Sequence, residues 1–187
     1  MTPGLLDRLK NTRFAAIRGL ILVAAVVSVG TFQLCGFLGL RINTSPSLPL
    51  GLYVVTTDSS ANLIEFCPAE PLAALSLVRG YRDRGACRDG GAPLLKPIVA
   101  KAGDLVELSW RGISVNGLLL PNTAPLSKDT KGRPLEPWGF GLFRVTPGTV
   151  WVASSYHSCS FDSRYFGPLP VAQLRGRVQP LWLWRHD

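Results

Sequence analysis

Two serines stand two residues apart in Ser45-Pro46-Ser47-Leu48-Pro49-Leu50-Gly51, and a lysine, Lys96, follows in Pro93-Leu94-Leu95-Lys96-Pro97-Ile98-Val99-Ala100-Lys101-Ala102-Gly103-Asp104. A serine hydroxyl is a poor nucleophile until a base takes its proton. An amine can be that base only if its pKa falls from about 10.4 toward neutrality. Desolvation has this effect, because it disfavours the ammonium form. In a strand over Leu94–Ala100 the side chains alternate, so Lys96 shares a face with Leu94, Ile98 and Ala100, while Lys101 falls on the opposite face at the strand end. Lys96 is therefore the expected base and Lys101 the expected solvated lysine. Blander readings compete: a turn rich in Ser and Pro is often only a turn, and an isolated lysine often lies along a sheet with its ammonium in water.

A third cluster is Ser160-Phe161-Asp162-Ser163-Arg164-Tyr165-Phe166-Gly167-Pro168. With a serine, His157 and Asp162 would suggest a Ser-His-Asp triad. However, His157 sits in the polar stretch Ser154-Ser155-Tyr156-His157-Ser158, and the other histidine, His186, is one residue from the C-terminus. There is no Gly-x-Ser-x-Gly elbow, which argues against an α/β-hydrolase. Cys67 and Cys87 flank a stretch containing Pro, Ala and Arg and are candidates for a disulfide if the domain is exported. Cys159 is left over; no cysteine motif or paired histidine makes it a nucleophile or a metal ligand, and it is expected to be buried. Neither a metal nor an organic cofactor is implied.

The elements that must position these residues begin with residues 19–40, which carry no charge. Such a run at 1.5 Å per residue reaches roughly 33 Å, enough to cross a hydrocarbon core of about 30 Å. It is also longer than the apolar core of a cleaved signal, about 7 to 15 residues. One transmembrane anchor is expected over 19–40, after a basic cytoplasmic N-terminus, 1–18. Arg8, Lys10, Arg13 and Arg18 stand there against Asp7 alone, which places the N-terminus in the cytoplasm. Residues 42–187 are then an extracytoplasmic domain. The formal net charge of +8 divides evenly, with five basic and one acidic residue in 1–41 and fifteen and eleven in 42–187. The basic balance is thus partly a topology signal, and without a Lys/Arg run interleaved with aromatics it does not call for nucleic acid.

The domain's periodic signals are mostly strands: Leu52–Thr57, Leu94–Ala100, Leu105–Leu108, Ile113–Val115, Thr149–Ala153 and Gly176–Trp184. Asn116-Gly117 between Ile113–Val115 and Leu118–Leu120 predicts a tight hairpin. A weak helix is expected near Pro71–Val78, and Pro121–Trp138 reads as a long surface loop. The expected fold is a mostly β ectodomain on one N-terminal transmembrane helix.

The three blocks, in this order after one apolar run, resemble those of the type I signal peptidases, and in detail their conjugative-transfer branch, the TraF-type pilin-maturation peptidases. The first block, Asn43 to Tyr53, is similar to that branch's serine motif. In the second, the family's base lysine stands seven residues before Gly103-Asp104. The resemblance implies a signal-peptidase-like β fold, Ser47 as nucleophile and Lys96 as base. Ser45 takes the place of an oxyanion-hole serine, although Pro46 departs from the small, flexible residue of many relatives. Ser160 is placed to bond the lysine amine, and Asp162 to order the site directly or through Arg164, which serves as structural support. The implied function is a Ser/Lys serine endopeptidase cutting exported, membrane-associated substrates beside small residues. A conjugative pilin fits best, with joining of its ends as an associated reaction. The compact domain and the Asn-x-Ser-Pro-Ser-Leu-Pro-x-Gly block favour this over a general type I signal peptidase removing leader peptides. A catalytically inactive membrane-anchored assembly protein would have little reason to keep all three blocks. A self-cleaving repressor would instead carry a DNA-binding domain. The implied partners are an exported pilin or preprotein, the lipid bilayer and the conjugative transfer apparatus.

Overall fold

The computed structural model describes residues 17–30, 33, 36 and 38–184. The chain divides into two units, Met1–Leu40 and Arg41–Asp187. In the first, residues 17–30 form a helix, α1. Among the described residues no helix is long and apolar enough to cross a membrane. Residues 31, 32, 34, 35 and 37 of the expected 19–40 span, Arg8, Lys10 and Arg13 ahead of it, and His186 lie outside the described residues.

The second unit is mostly β. Its described strands are β1 (Leu40–Asn43), β2 (Gly51–Thr56), β3 (Leu63–Phe66), β4 (Leu94–Lys101), β5 (Leu105–Ser109), β6 (Gly112–Val115), β7 (Leu118–Leu119), β8 (Gly141–Arg144), β9 (Thr149–Val152), β10 (Leu169–Pro170) and β11 (Leu174–Leu183). Two short helices, α2 (Leu72–Val78) and α3 (Ser163–Phe166), interrupt them. One sheet of seven strands runs β1-β2-β11-β3-β4-β9-β10; a second of four runs β7-β6-β5-β8.

β4 is the element that matters most for the site. It pairs antiparallel with β3 on one side, where Lys96 lies opposite Ile64, and with β9 on the other, where the register shifts between Ile98 and Ala100. Pro97 lacks an N–H, but its carbonyl still accepts from Ala153 N at 3.2 Å. A proline inside a central strand is tolerated next to such an irregularity. The alternation read from the sequence holds here: Leu94, Lys96 and Ala100 are buried and Lys101 is exposed. Ile64, Phe66, Leu94, Val150, Val152 and Leu169 make one apolar cluster. A second, built on Ala100, Val106, Leu108, Ile113, Val145, Trp151 and Ala153, joins the small sheet to β4 and β9.

The hairpin at Asn116-Gly117 forms as expected, with Val115 opposite Leu118. Its two central residues have φ of 50° and 86°, the left-handed pair that a two-residue turn of this hand requires. Asn116 holds the turn by accepting from Leu105 N and donating to Asp104, both at 2.9 Å. Strands β1, β3, β8 and β10 and helix α3 were not expected from the sequence. Each spans only two to four residues, too short for a period to declare itself.

Residues 121–138 hold no strand beyond an isolated Lys128–Pro134 bridge, as a loop should, yet the segment is pinned to the domain. Asp129 accepts from Tyr81 Oη at 2.8 Å and from Arg133 Nε at 2.6 Å, and Arg133 Nη2 donates to Arg79 O at 2.7 Å. Cys67 and Cys87 are joined, with their Cα atoms 5.7 Å apart. Cys159, expected to be buried, is instead exposed and free, because the loop following β9 turns it outward while Ser160 and Phe161 turn in.

Candidate active site

The Ser45–Gly51 turn is organised by a side chain that the sequence reading quoted but gave no role. Asn43, at the end of β1 and 5% exposed, donates through Nδ2 to the carbonyls of Ser45, Leu48 and Pro49 at 2.9, 3.2 and 3.1 Å. Its Oδ1 accepts from Ser45 N at 3.2 Å. One amide thus satisfies several groups of a chain that two prolines keep out of a ladder. Tyr53 Oη adds a bond to Pro49 O at 2.7 Å. Within this frame Ser47 is buried and Ser45 exposed. Ser45 Oγ donates to Ser47 Oγ at 3.3 Å and accepts from Ser47 N at 3.4 Å.

Lys96 is 3% exposed. Its Nζ donates to Ser160 Oγ at 2.9 Å. Burial pushes its pKa from 10.5 down to about 8, against a pull upward from Asp162 and with a push downward from Arg164. The two opposite charges stand together, so the desolvation decides.

Asp162 and Arg164 form an ion pair with both side chains fully buried. Asp162 Oδ1 accepts from Arg164 Nε at 2.8 Å and Oδ2 from Arg164 Nη2 at 3.0 Å, the two-point geometry of a guanidinium on a carboxylate. Asp162 also caps α3, accepting from Arg164 N, and its Oδ2 takes Ser154 N at 3.1 Å. Arg164 spends its remaining donors on carbonyls: Asn122, Ala124 and Ser158 through Nη1, and Ser160 at 2.7 Å through Nη2. It therefore ties residues 122–124 to the loop carrying Ser160.

The structure brings Ser45 against Ser47, Lys96 against Ser160, and Asp162 against Arg164. The first pair is linked to the last through Ser154, whose hydroxyl donates to the Ser47 carbonyl at 2.5 Å. Sequence reasoning missed Ser154, which lay in a run of polar loop residues with no spacing to mark it. Among the described residues no hydrogen bond joins Ser47 Oγ to Lys96 Nζ. His157 is not assembled into a triad: its Nδ1 accepts from Cys159 N at 3.2 Å, within its own loop.

Cavities flank the serine turn. One of about 320 Å³ is lined by residues 42–46, 80–83 and 92–95. Another, of about 220 Å³, lies between Ser45, Pro46 and the apolar groups of Leu126, Leu135, Phe161 and Tyr165. Here a wall of the cleft comes from the 121–138 loop. The arrangement offers a hydroxyl beside donors and a buried amine with a depressed pKa, the parts that acyl transfer requires.

The chain belongs to a peptidase family: the model for signal peptidase, peptidase S26, matches residues 12–184. Its relatives carry a narrower name. It is 40% identical over 161 residues, 82% of each chain, to a probable conjugal transfer protein TraF of Sinorhizobium fredii. A conjugal transfer protein TraF of Agrobacterium fabrum is 35% identical over 175 residues, 91% of this chain and 94% of that one. A plasmid transfer protein TraF of Escherichia coli is 33% identical over 150 residues, 78% and 84% of the two chains. Among solved structures, a signal peptidase I from Enterococcus faecalis matches with a TM-score of 0.36 and 18% identity over 66% of this chain and 97% of that one.

Proposed function

We propose that this chain is a membrane-anchored serine endopeptidase of conjugative transfer, in which Ser47 is the nucleophile and Lys96 the base, and that its substrate is an exported pilin subunit. The observation that carries the reading is Lys96: buried, bonded to Ser160, and with its pKa pushed to about 8. A lysine placed only for solubility would keep its ammonium in water. The TraF names of the relatives support the conjugative setting, and membership of a peptidase family supports the reaction class.

In this mechanism Ser47 Oγ turns from Ser45 toward Nζ, gives up its proton to the neutral amine and attacks the scissile carbonyl. Ser47 N and Ser45 Oγ, freed from each other, donate to the oxyanion. Lys96 then returns the proton to the leaving amine, and an ester to Ser47 remains. Ser160 aims the amine, while Asp162 and Arg164 hold the loop that carries Ser160. The substrate chain lies along the cleft between residues 42–46 and 92–95. Residues 19–40 hold the domain against the periplasmic face of the inner membrane, where such substrates emerge.

The test is co-expression with the precursors of candidate conjugative pilins, and with an exported protein bearing an ordinary leader peptide. Ser47→Ala and Lys96→Ala should each abolish pilin processing, Lys101→Ala should not, and the leader peptide should be left uncut. Processing that survives Ser47→Ala would sink the reading; cleavage of the leader instead of the pilin would make the chain a general signal peptidase. A C-terminal alkaline phosphatase fusion should be active, and an inactive one would overturn the topology.

A further inference from the structure

Ser154 immediately follows β9 and lies in none of the three sequence blocks. Its side chain is fully buried, and both its hydroxyl and its backbone N–H are engaged. The hydroxyl accepts from Tyr156 N at 3.1 Å and His157 N at 3.3 Å. With both amides on its lone pairs, the one hydroxyl proton is directed at Ser47 O, 107 positions away in the chain. The backbone N–H of the same residue donates to Asp162 Oδ2, and the preceding residue, Ala153, donates to Pro97 O, next to Lys96. A serine that merely closes a local turn accounts for the bonds from Tyr156 and His157. It does not account for a buried donor bond to the carbonyl of the proposed nucleophile.

We propose that Ser154 is a positioning residue for Ser47. Fixing the Ser47 carbonyl fixes ψ at that residue, while Asn43 holds the carbonyls of Ser45, Leu48 and Pro49 on either side. Between these restraints the Ser47 Cβ and N–H have one direction relative to the cleft. Through its own N–H, Ser154 also keeps the Asp162–Arg164 pair, and hence Ser160 and Lys96, in register with the serine turn. The inference rests on the Ser47 and Lys96 reading of the site.

A misplaced nucleophile costs turnover, since an error of 1 Å in a reacting group lowers rate by about 100-fold. Ser154 does not line the cavity between residues 42–46 and 92–95; it backs another cavity bounded by Leu48, Pro97, Val99 and Tyr156, but with no surface exposed there, so peptide binding should persist. The loss therefore belongs in kcat and not in KM. The acid limb of the pH profile belongs to Lys96 and should not move.

The experiment uses the full chain in detergent with an internally quenched peptide carrying an Ala–Ala junction. Ser163→Ala is the control, because Ser163 is equally buried and its hydroxyl accepts a backbone N–H at the end of β9, Val152 N at 2.9 Å, without touching Ser47. Ser154→Ala should lower kcat by about 10- to 100-fold relative to Ser163→Ala, with KM within about threefold and the acid limb unchanged. Ser154→Thr, which keeps the hydroxyl, should recover most of the loss. A kcat for Ser154→Ala equal to that of Ser163→Ala, a loss confined to KM, or a threonine variant as impaired as alanine would overturn the proposal. Ser47→Ala separates the two claims: an inactive Ser47→Ala beside an unimpaired Ser154→Ala removes only the positioning role, whereas an active Ser47→Ala removes the dyad itself.

Discussion

Lys96 Nζ and Ser160 Oγ lie 2.9 Å apart in the interior, joining the middle of β4 to the loop that leads into α3 across 64 positions of sequence. The bond links a residue placed by strand alternation to one placed by an ion pair. Lys96 faces inward because of where it stands between Leu94 and Ala100. Ser160 faces it because Arg164 holds the Ser160 carbonyl at 2.7 Å. The amine's environment is therefore assembled from two elements, each fixed by interactions that do not involve the amine.

Turnover should rise with pH as Lys96 loses its proton, with the midpoint of the acid limb near 8, the value to which burial pushes the amine. A pH profile of kcat/KM on the free enzyme measures this group. An acid limb that is abolished by His157→Ala and kept in Lys96→Ala would point instead to an imidazole base.

The same burial should make Lys96 a burden on stability. Its folded pKa, about 8, lies below the 10.5 of an exposed lysine, so between these values the unfolded chain binds more protons than the folded one. Stability then rises with pH across that window, and below pH 8 the full penalty applies. Lys96→Met, apolar and of similar reach, should raise the thermal midpoint at pH 7 while abolishing turnover. The gain over the parent should shrink as pH rises from 8 to 10.5, and a methionine variant less stable at pH 7 would contradict the assignment.

Arg164 should matter to folding more than to chemistry. Its removal leaves the Asp162 carboxylate buried without its partner and the carbonyls of Asn122, Ala124, Ser158 and Ser160 without their donor. Breaking one side of a buried ion pair typically costs about 3–5 kcal/mol. Arg164→Ala should show that loss in urea melts and become susceptible to proteolysis within residues 121–138. Arg164→Lys should rescue little, because a point charge cannot replace a planar fork serving several acceptors.

Which parts of this were legible beforehand follows from the range of the interactions. Strand alternation is local, so the inward face of Lys96 and the outward face of Lys101 were readable from Leu94–Ala100. The Asn116-Gly117 turn was readable for the same reason. The serine block was recognisable as a resemblance, but the role of Asn43 was not, since it depends on three carbonyls meeting one amide in a particular turn. Ser154 was less accessible still: its bond to Ser47 spans most of the domain. Cys159 was misjudged because a cysteine's usual preference for the interior says nothing about which way a loop turns. The 121–138 segment was recognised as a loop, yet its wall beside Ser45 depends on Asp129 meeting Tyr81 and Arg133, a convergence that composition does not encode.

In the proposed mechanism an ester on Ser47 would have two exits, and the product would distinguish them. Water gives a trimmed linear chain. An amine held against the ester competes with it, because positioning can supply an effective concentration of about 10⁵ M or more. The cleft beside Ser45 and Pro46 is walled by Leu126, Leu135, Phe161 and Tyr165, apolar groups that would reduce the water near such an ester. If the pilin's own N-terminus is the amine that enters, the ester bond breaks, a peptide bond forms, the Ser47 hydroxyl regains its proton and the product is a circle. The mature pilin should then be lighter than the trimmed linear chain by one water and should resist Edman degradation. Leu126→Asp and Leu135→Asp, which admit water to that wall, should shift the product toward the linear form. Mass spectrometry that finds only the linear, trimmed chain from the parent enzyme would reduce the reaction to hydrolysis and leave the Ser47 and Lys96 proposal standing.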